Sequence, residues 1–288
     1  MPQFFPASKL ALCAIASIAI GLICTGCNRR DANQPFPGIT YRAEVRENPP
    51  ERLFIATVDL TSPKIHLHVA PGGPDPDGPG RWQTTLMRPT EVGKREHFVL
   101  VINGDFFEAR GVKDAEGTNA TFHTSTWGRV LGPAVSDGKV WSTSNEKKPC
   151  LVVSKSGKAS IEMRDRPGPD DHQVIAGNRM LVENGAVVSN ASTNRFPRTV
   201  LGLDAAGKKL VILIVDGRKR DVALGMSYKE LSEEIIRLGC DRAFNLDGGG
   251  SSVLAIRDGS DGEFKLMNEP TDGHERAVAN VLGVSVKR

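Results

Sequence analysis

Residues 210–215 read Leu-Val-Ile-Leu-Ile-Val, six apolar side chains in a row, and the run stops abruptly on Asp216-Gly217-Arg218. A strand turns successive side chains to opposite faces, so an unbroken apolar run requires a buried strand. With TVLGLDAAGKK before it, the segment 199–218 reads as a hairpin whose second strand is buried. Two further apolar strands close on comparable groups, Asn103-Gly104-Asp105 and Asn245-Leu246-Asp247-Gly248. A single Asp-Gly is an ordinary turn. Three at the ends of buried strands point to carboxylates delivered into one cleft.

Gly248, Gly249 and Gly250 follow Asp247 in succession, and Ser251 and Ser252 come next. Three glycines cost backbone entropy, but without a Cβ they can present successive N–H groups to an anion. Ser251 adds a hydroxyl. Arg198, in Pro197-Arg198-Thr199 at a strand start, adds a planar fork that grips phosphate oxygens in pairs. The chemistry expected is a phosphate held by arginine, amides and hydroxyls beside two carboxylates. The GxxxxGK[ST] spacing of a nucleotide loop is not present in the sequence, so ATP is not implied.

VSDGKVW and VENGAVV carry Asp-Gly and Asn-Gly pairs suited to two-residue hairpin turns. Ser227 to Glu230 spells a capping box, and Tyr228, Leu231, Ile235 and Leu238 follow on one helical face, with Gly239 placed as the stop. The fold class expected is α/β (mixed α+β), with a mixed β-sheet core, a few helices and a single substrate cleft. Residues 51–288 form that domain, preceded by a polar, proline-dotted tether at 28–50 and a lipoprotein-type signal peptide at 1–27. Lys9 precedes an apolar run from Leu10 to Cys24, shorter than the roughly 20 residues of a spanning helix. Thr25-Gly26-Cys27 resembles a lipobox, with Cys24 where leucine is usual. It implies cleavage before Cys27, acylation of its sulfur, and an exported domain tethered to a membrane on the periplasmic or cell-surface side.

The 37 basic residues barely exceed the 34 acidic ones, and no basic patch is interleaved with aromatics, so nucleic acid is not an expected partner. Cys150 and Cys240 lie outside the leader and form either one disulfide or two separate buried thiols.

VINGDFF, FPRTVLGLD, LIVDGR, GMSYKELSEEIIRLGCDRAFNLDGGGSSVL and NEPTDGHERAVANVLGV, in that order, resemble the phosphodiester glycosidase family from about Ile55 to Val286. The resemblance implies a mixed α/β fold with one substrate cleft, and hydrolysis of a sugar-1-phosphodiester; bacterial relatives are tied to exopolysaccharide. Motif by motif it implies Asn103 and Asp105, Arg198 and Thr199, Asp216 and Arg218, then Asn245, Asp247 and Gly248 to Ser251, with Arg276 from the ERAV block. At Asp105 this sequence departs from the small or apolar residue that family members often carry.

Chemistry suggests the roles. Asp247 acts as base or nucleophile at the anomeric carbon, and Asp216 is the second carboxylate. Arg198, the glycine amides and Ser251 hold the phosphate. No cofactor is fixed by the sequence; Asp105, Asp216 and Asp247 are hard oxygen ligands of the kind that take Ca²⁺ or Mg²⁺, and metal assistance stays open. The competing reading is a membrane-tethered binder of a glycosyl-phosphate polymer, which gains nothing from three acids beside its phosphate.

Overall fold

The strand Lys209–Val215 is the fourth of eight in one sheet. The order runs Asn33–Phe36, Ile39–Glu47, Pro50–Asp59, Lys209–Val215, Arg198–Leu203, Arg242–Asn245, Arg179–Glu183 and Ala186–Val187. In this computed structural model the described residues are Met1, 33–111, 122–188 and 192–287. Residues 2–27, which hold the core of the expected signal peptide and Cys27, lie outside them.

Both faces of the central strand are covered, which explains its composition. Leu210, Ile212 and Ile214 enter the main core, while Val211, Leu213 and Val215 pack with Leu231 and Ile235 of the helix Tyr228–Arg237. All six side chains are at most 1% exposed, and each contributes about 1.5–3 kcal/mol relative to an exposed position. The helix begins as its sequence dictates: Ser227 Oγ accepts from the Glu230 N–H while the Glu230 carboxylate accepts from the Ser227 N–H.

Two five-stranded sheets share the main core with the first. One is ordered Lys139–Ser142, Ala134–Ser136, Asp171–Ala176, Lys148–Ser154 and Ala159–Arg164. The other runs Phe264–Leu266, Leu254–Arg257, Leu100–Asn103, Asn280–Val286 and Ile65–Pro71. Asp137-Gly138 and Asn184-Gly185 make tight hairpin turns with positive φ at both residues, as their sequences lead one to expect.

The fold is mostly β, and among the described residues every strand ladder is antiparallel, so the α/β expectation overstates the helical part. The misleading signal was the well-capped helix. It carries the chain from Lys209–Val215 to Arg242–Asn245, which flank Arg198–Leu203 and are both antiparallel to it. The tether expected at 28–50 is also corrected from residue 33 onward. Ile39–Glu47 pairs along its length with Pro50–Asp59, and the Asn48-Pro49 pair that suggested a linker lies in the turn between them. Cys150 and Cys240 are separate buried thiols, and burial pushes Cys240 up to about 12.

Candidate functional site

Arg198 pairs with Val215, and Asn245 pairs with both Val200 and Arg179, so the polar ends of these strands gather at one edge of the eight-stranded sheet. From there the chain changes sheets within one residue. The Leu246 N–H donates to the Thr199 carbonyl, and the next, of Asp247, donates to the Gly104 carbonyl at the end of Leu100–Asn103. The glycine loop is this crossing, and Val253 and Leu254 continue into the second sheet.

Asn103 locks the crossing. It is fully buried; its Nδ2 donates to the Asp247 carbonyl at 2.8 Å, and its Oδ1 accepts from the Thr199 hydroxyl at 2.8 Å and the Val253 N–H at 3.2 Å. Asn103 and Thr199, expected as substrate contacts, instead use their polar groups on each other and on the loop. Burial leaves them no free face.

Asp247 stands at the head of the loop, with part of its surface in solvent although its carboxyl is packed tightly. Burial raises that carboxyl to about 6. The Ser251 hydroxyl, the Gly248 N–H and the charge of Arg276 oppose the rise. The Gly248 bond is well formed at 2.8 Å, whereas Ser251 Oγ lies against the carboxyl without closing a bond of ordinary geometry.

The carboxylate beside Asp247 is Asp105, not Asp216. Asp105 is buried, and its oxygens accept from the Phe106 and Gly132 N–H groups, each at 2.7 Å. Desolvation lifts it to about 7, with those two bonds opposing and the charge of Asp247 adding to the rise. Asp216 belongs to a brace. Its oxygens accept from Asn268 Nδ2 at 3.0 Å and the Glu269 N–H at 3.1 Å, and Asn268 also donates to the Ser252 carbonyl. Burial raises the Asp216 carboxyl as well, against those bonds. Among the described residues no three His, Cys, Asp or Glu side chains group to hold a metal ion. The expected ligand set of Asp105, Asp216 and Asp247 is therefore not assembled, because Asp216 is committed to the brace.

Two of the three amides of the glycine run are likewise committed, as is that of Ser251. Gly248 N–H serves Asp247, Gly249 N–H donates to the Pro197 carbonyl, and Ser251 N–H closes a tight turn on the Gly248 carbonyl. The anion cradle expected from successive free amides does not form. The glycines serve close approach instead. A Cβ on Gly249, whose φ is +62°, would fall 3.3 Å from the Arg218 guanidinium, and one on Gly250 would strike Arg276 and Asp272. A Cβ on Gly248 would lie 2.8 Å from the Pro197 carbonyl.

Arginines thus press on the loop from two sides. Arg276 is paired with Asp272 at 2.8 Å. Arg198, 8% exposed, donates to the Tyr228 hydroxyl at 3.0 Å and lies over that ring. Burial lowers its pKa, with Tyr228 opposing and Arg179 and Arg218 adding to the fall. Five of the ten buried side-chain polar atoms without a partner among the described residues belong to this neighbourhood: Arg198 Nε, Asn245 Oδ1, Ser251 Oγ, Ser252 Oγ and Asn280 Nδ2. Such atoms are rare in folded proteins, and their concentration here singles out this neighbourhood as the candidate site.

Sequence reasoning missed Asn280, Tyr228 and Arg179. Asn280 Oδ1 accepts from the Asp105 N–H, fixing that acid. Its one signal was a polar residue opening an otherwise apolar strand, and Tyr228 was read as helix packing alone.

Comparison with known proteins follows the same outline. The family model described as phosphodiester glycosidase matches residues 96–285. An N-acetylglucosamine-1-phosphodiester alpha-N-acetylglucosaminidase of Bos taurus is 28% identical over 163 residues, covering 48% of this chain and 30% of that protein. An uncharacterized protein derived from prophage SPbeta in Bacillus subtilis (strain 168) is 38% identical over 91 residues, 32% of this chain and 13% of that one. The chain thus matches less than a third of the length of either relative. Among solved structures, the catalytic domain of the zebrafish N-acetylglucosamine-1-phosphodiester alpha-N-acetylglucosaminidase superposes with a TM-score of 0.60 at 21% identity, over 87% of this chain and 82% of that one. At that identity the likeness speaks for the fold.

Proposed function

Because the chain belongs to the phosphodiester glycosidase family, we propose that it hydrolyses the bond between an anomeric carbon and a phosphodiester. The products are a free sugar and a phosphate monoester. One observation carries the reading: Asp247 opens a loop whose glycines admit Arg218 and Arg276, with Arg198 beside it. A carboxylate and a set of phosphate-binding forks thereby share one crossing.

Arg198 and Arg218 take the phosphate oxygens and spread the charge that grows there as the carbon–oxygen bond breaks and its electron pair leaves with phosphate. Phosphate is a good leaving group, so no strong acid is needed on that side. Asp247 acts at the anomeric carbon, directly or by taking the proton of an attacking water. Asp105 stands behind it, and its own carboxyl feels the charge of Asp247. Asp216 supports the loop without entering the reaction.

The test is a screen of the full chain on glycosyl-1-phosphodiesters, with p-nitrophenyl glycosides as controls. Cleavage of the controls alone sinks the proposal. The pH profile gives an independent check. Asp247 must be ionised to act, so kcat/KM climbs as pH rises through about 6 and levels off above it. Asp105 titrates nearby, and the limb belongs to the pair. A rate flat from pH 5 to pH 7, by about pH-stat or discontinuous assay at each unit, removes Asp247 as the titrating group.

The leader extends the proposal. Residues 1–27 export the chain and acylation of Cys27 tethers it, which places its substrate among cell-surface or exopolysaccharide phosphodiesters. Metabolic labelling with a fatty-acid analogue then tags the unaltered protein and not Cys27→Ala; an unaltered protein that takes up no label refutes the acyl tether.

A further inference from the structure

The cations at the site outnumber the charge of a single phosphodiester. Arg198 occupies the middle of a short row, 4.1 Å from the centre of the Tyr228 ring and 5.2 Å from that of Phe196. Arg179 lies 4.9 Å from the same tyrosine, and Arg218 lies 5.7 Å from the same phenylalanine. The sequence in space is Arg179, Tyr228, Arg198, Phe196, Arg218. Arg276, across the loop, has Asp272 as counter-ion. No described carboxylate plays that part for the three in the row, and Arg198 Nε is enclosed without a partner.

A phosphodiester carries one negative charge. Seated on Arg198 and Arg218, it leaves Arg179, beyond Tyr228, with its charge still unmet.

Building on the proposed cleavage of a phosphodiester at Asp247, with the scissile phosphate on Arg198 and Arg218, we infer that the substrate carries a second phosphate beyond the scissile one, held by Arg179. The substrate class is a chain of sugars joined through phosphodiesters, whose next phosphate along the chain meets Arg179. Arg179 is then a specificity-determining residue: it binds the neighbouring unit and takes no part in bond breaking.

The test is equilibrium binding to the full chain carrying Asp247→Asn, so that ligand is not consumed. The probes are a methyl N-acetylglucosaminyl-1-phosphodiester and its dimer with two phosphates. The dimer is expected to bind about tenfold more tightly at low salt, an advantage that shrinks at about 0.5 M salt, where exposed charges are screened. Arg179→Gln is expected to cut that advantage to under about threefold, and Arg179→Lys to restore part of it, which a merely structural role would not do. Equal affinity for the two probes, binding of neither, or an advantage that survives Arg179→Gln overturns the inference. Turnover of the one-phosphate probe by the unaltered protein reads the parent proposal separately. Preference for the dimer without turnover sinks the hydrolytic reading alone, and turnover without preference sinks this one alone.

Discussion

Asp247→Asn is expected to lower kcat on a glycosyl phosphodiester by about 10³-fold or more, while the protein remains folded and becomes more resistant to heat above about pH 6. The two halves of this result have one cause. Burial has raised the carboxyl to about 6, so in the native state the ionised form is disfavoured relative to the unfolded chain. A raised carboxyl contributes stability that is fully present below its unfolded pKa, near 4, and is lost as pH climbs through the folded value. At neutral pH the native protein therefore bears the cost of a buried charge, on the order of 1–3 kcal/mol. The asparagine removes that cost, and its oxygen still accepts from the Gly248 N–H. Thermal unfolding of both proteins at pH 5 and pH 8 reads the effect: the melting curves approach each other at pH 5 and separate at pH 8, with the variant higher. Melting that falls at both pH values makes Asp247 structural. Undiminished turnover removes it from the reaction.

The strand pattern and the site differ in how much of them could be seen without the structure. The apolar run at 210–215, the capping box at Ser227 and the Asp-Gly and Asn-Gly hairpins are local signals, set by periodicity and turn chemistry, and each appears where its residues indicate. Pairing partners are not local. Nothing in 28–50 shows that Ile39–Glu47 finds its neighbour across a proline turn, and nothing in the Asp216 motif shows that Asn268 will claim its carboxylate. The same limit inverted two roles at the site. Three adjacent glycines signal a need for space, but not whether a ligand or a guanidinium fills it; here arginines do. Asp105, which departs from the family's usual residue, turns out to be a buried acid whose carboxyl is raised in part by the charge of Asp247.

Asn103 provides the sharpest contrast between a residue that touches substrate and one that holds the site together, and Asn103→Ala separates the two. A substrate contact, once truncated, raises KM and leaves stability alone. The structure predicts the reverse emphasis. Removing this fully buried amide strands the Thr199 hydroxyl, the Val253 N–H and the Asp247 carbonyl, all at the single residue where the chain passes from one sheet to the other. Each stranded group costs about 1–3 kcal/mol, and the cavity adds to it, so the loss is at least about 3 kcal/mol. For a domain of this size that is a fall of about 10 °C in Tm. Turnover falls with it, through kcat, because the carbonyl that fixes the backbone of Asp247 is released. Thr199→Val breaks only one of the three bonds and is expected to cost about 1 kcal/mol. Its effect is absorbed when combined with Asn103→Ala, because the partner is already gone. A raised KM with unchanged melting would instead return Asn103 to the substrate. Additive losses in the double variant would show that the two side chains act apart.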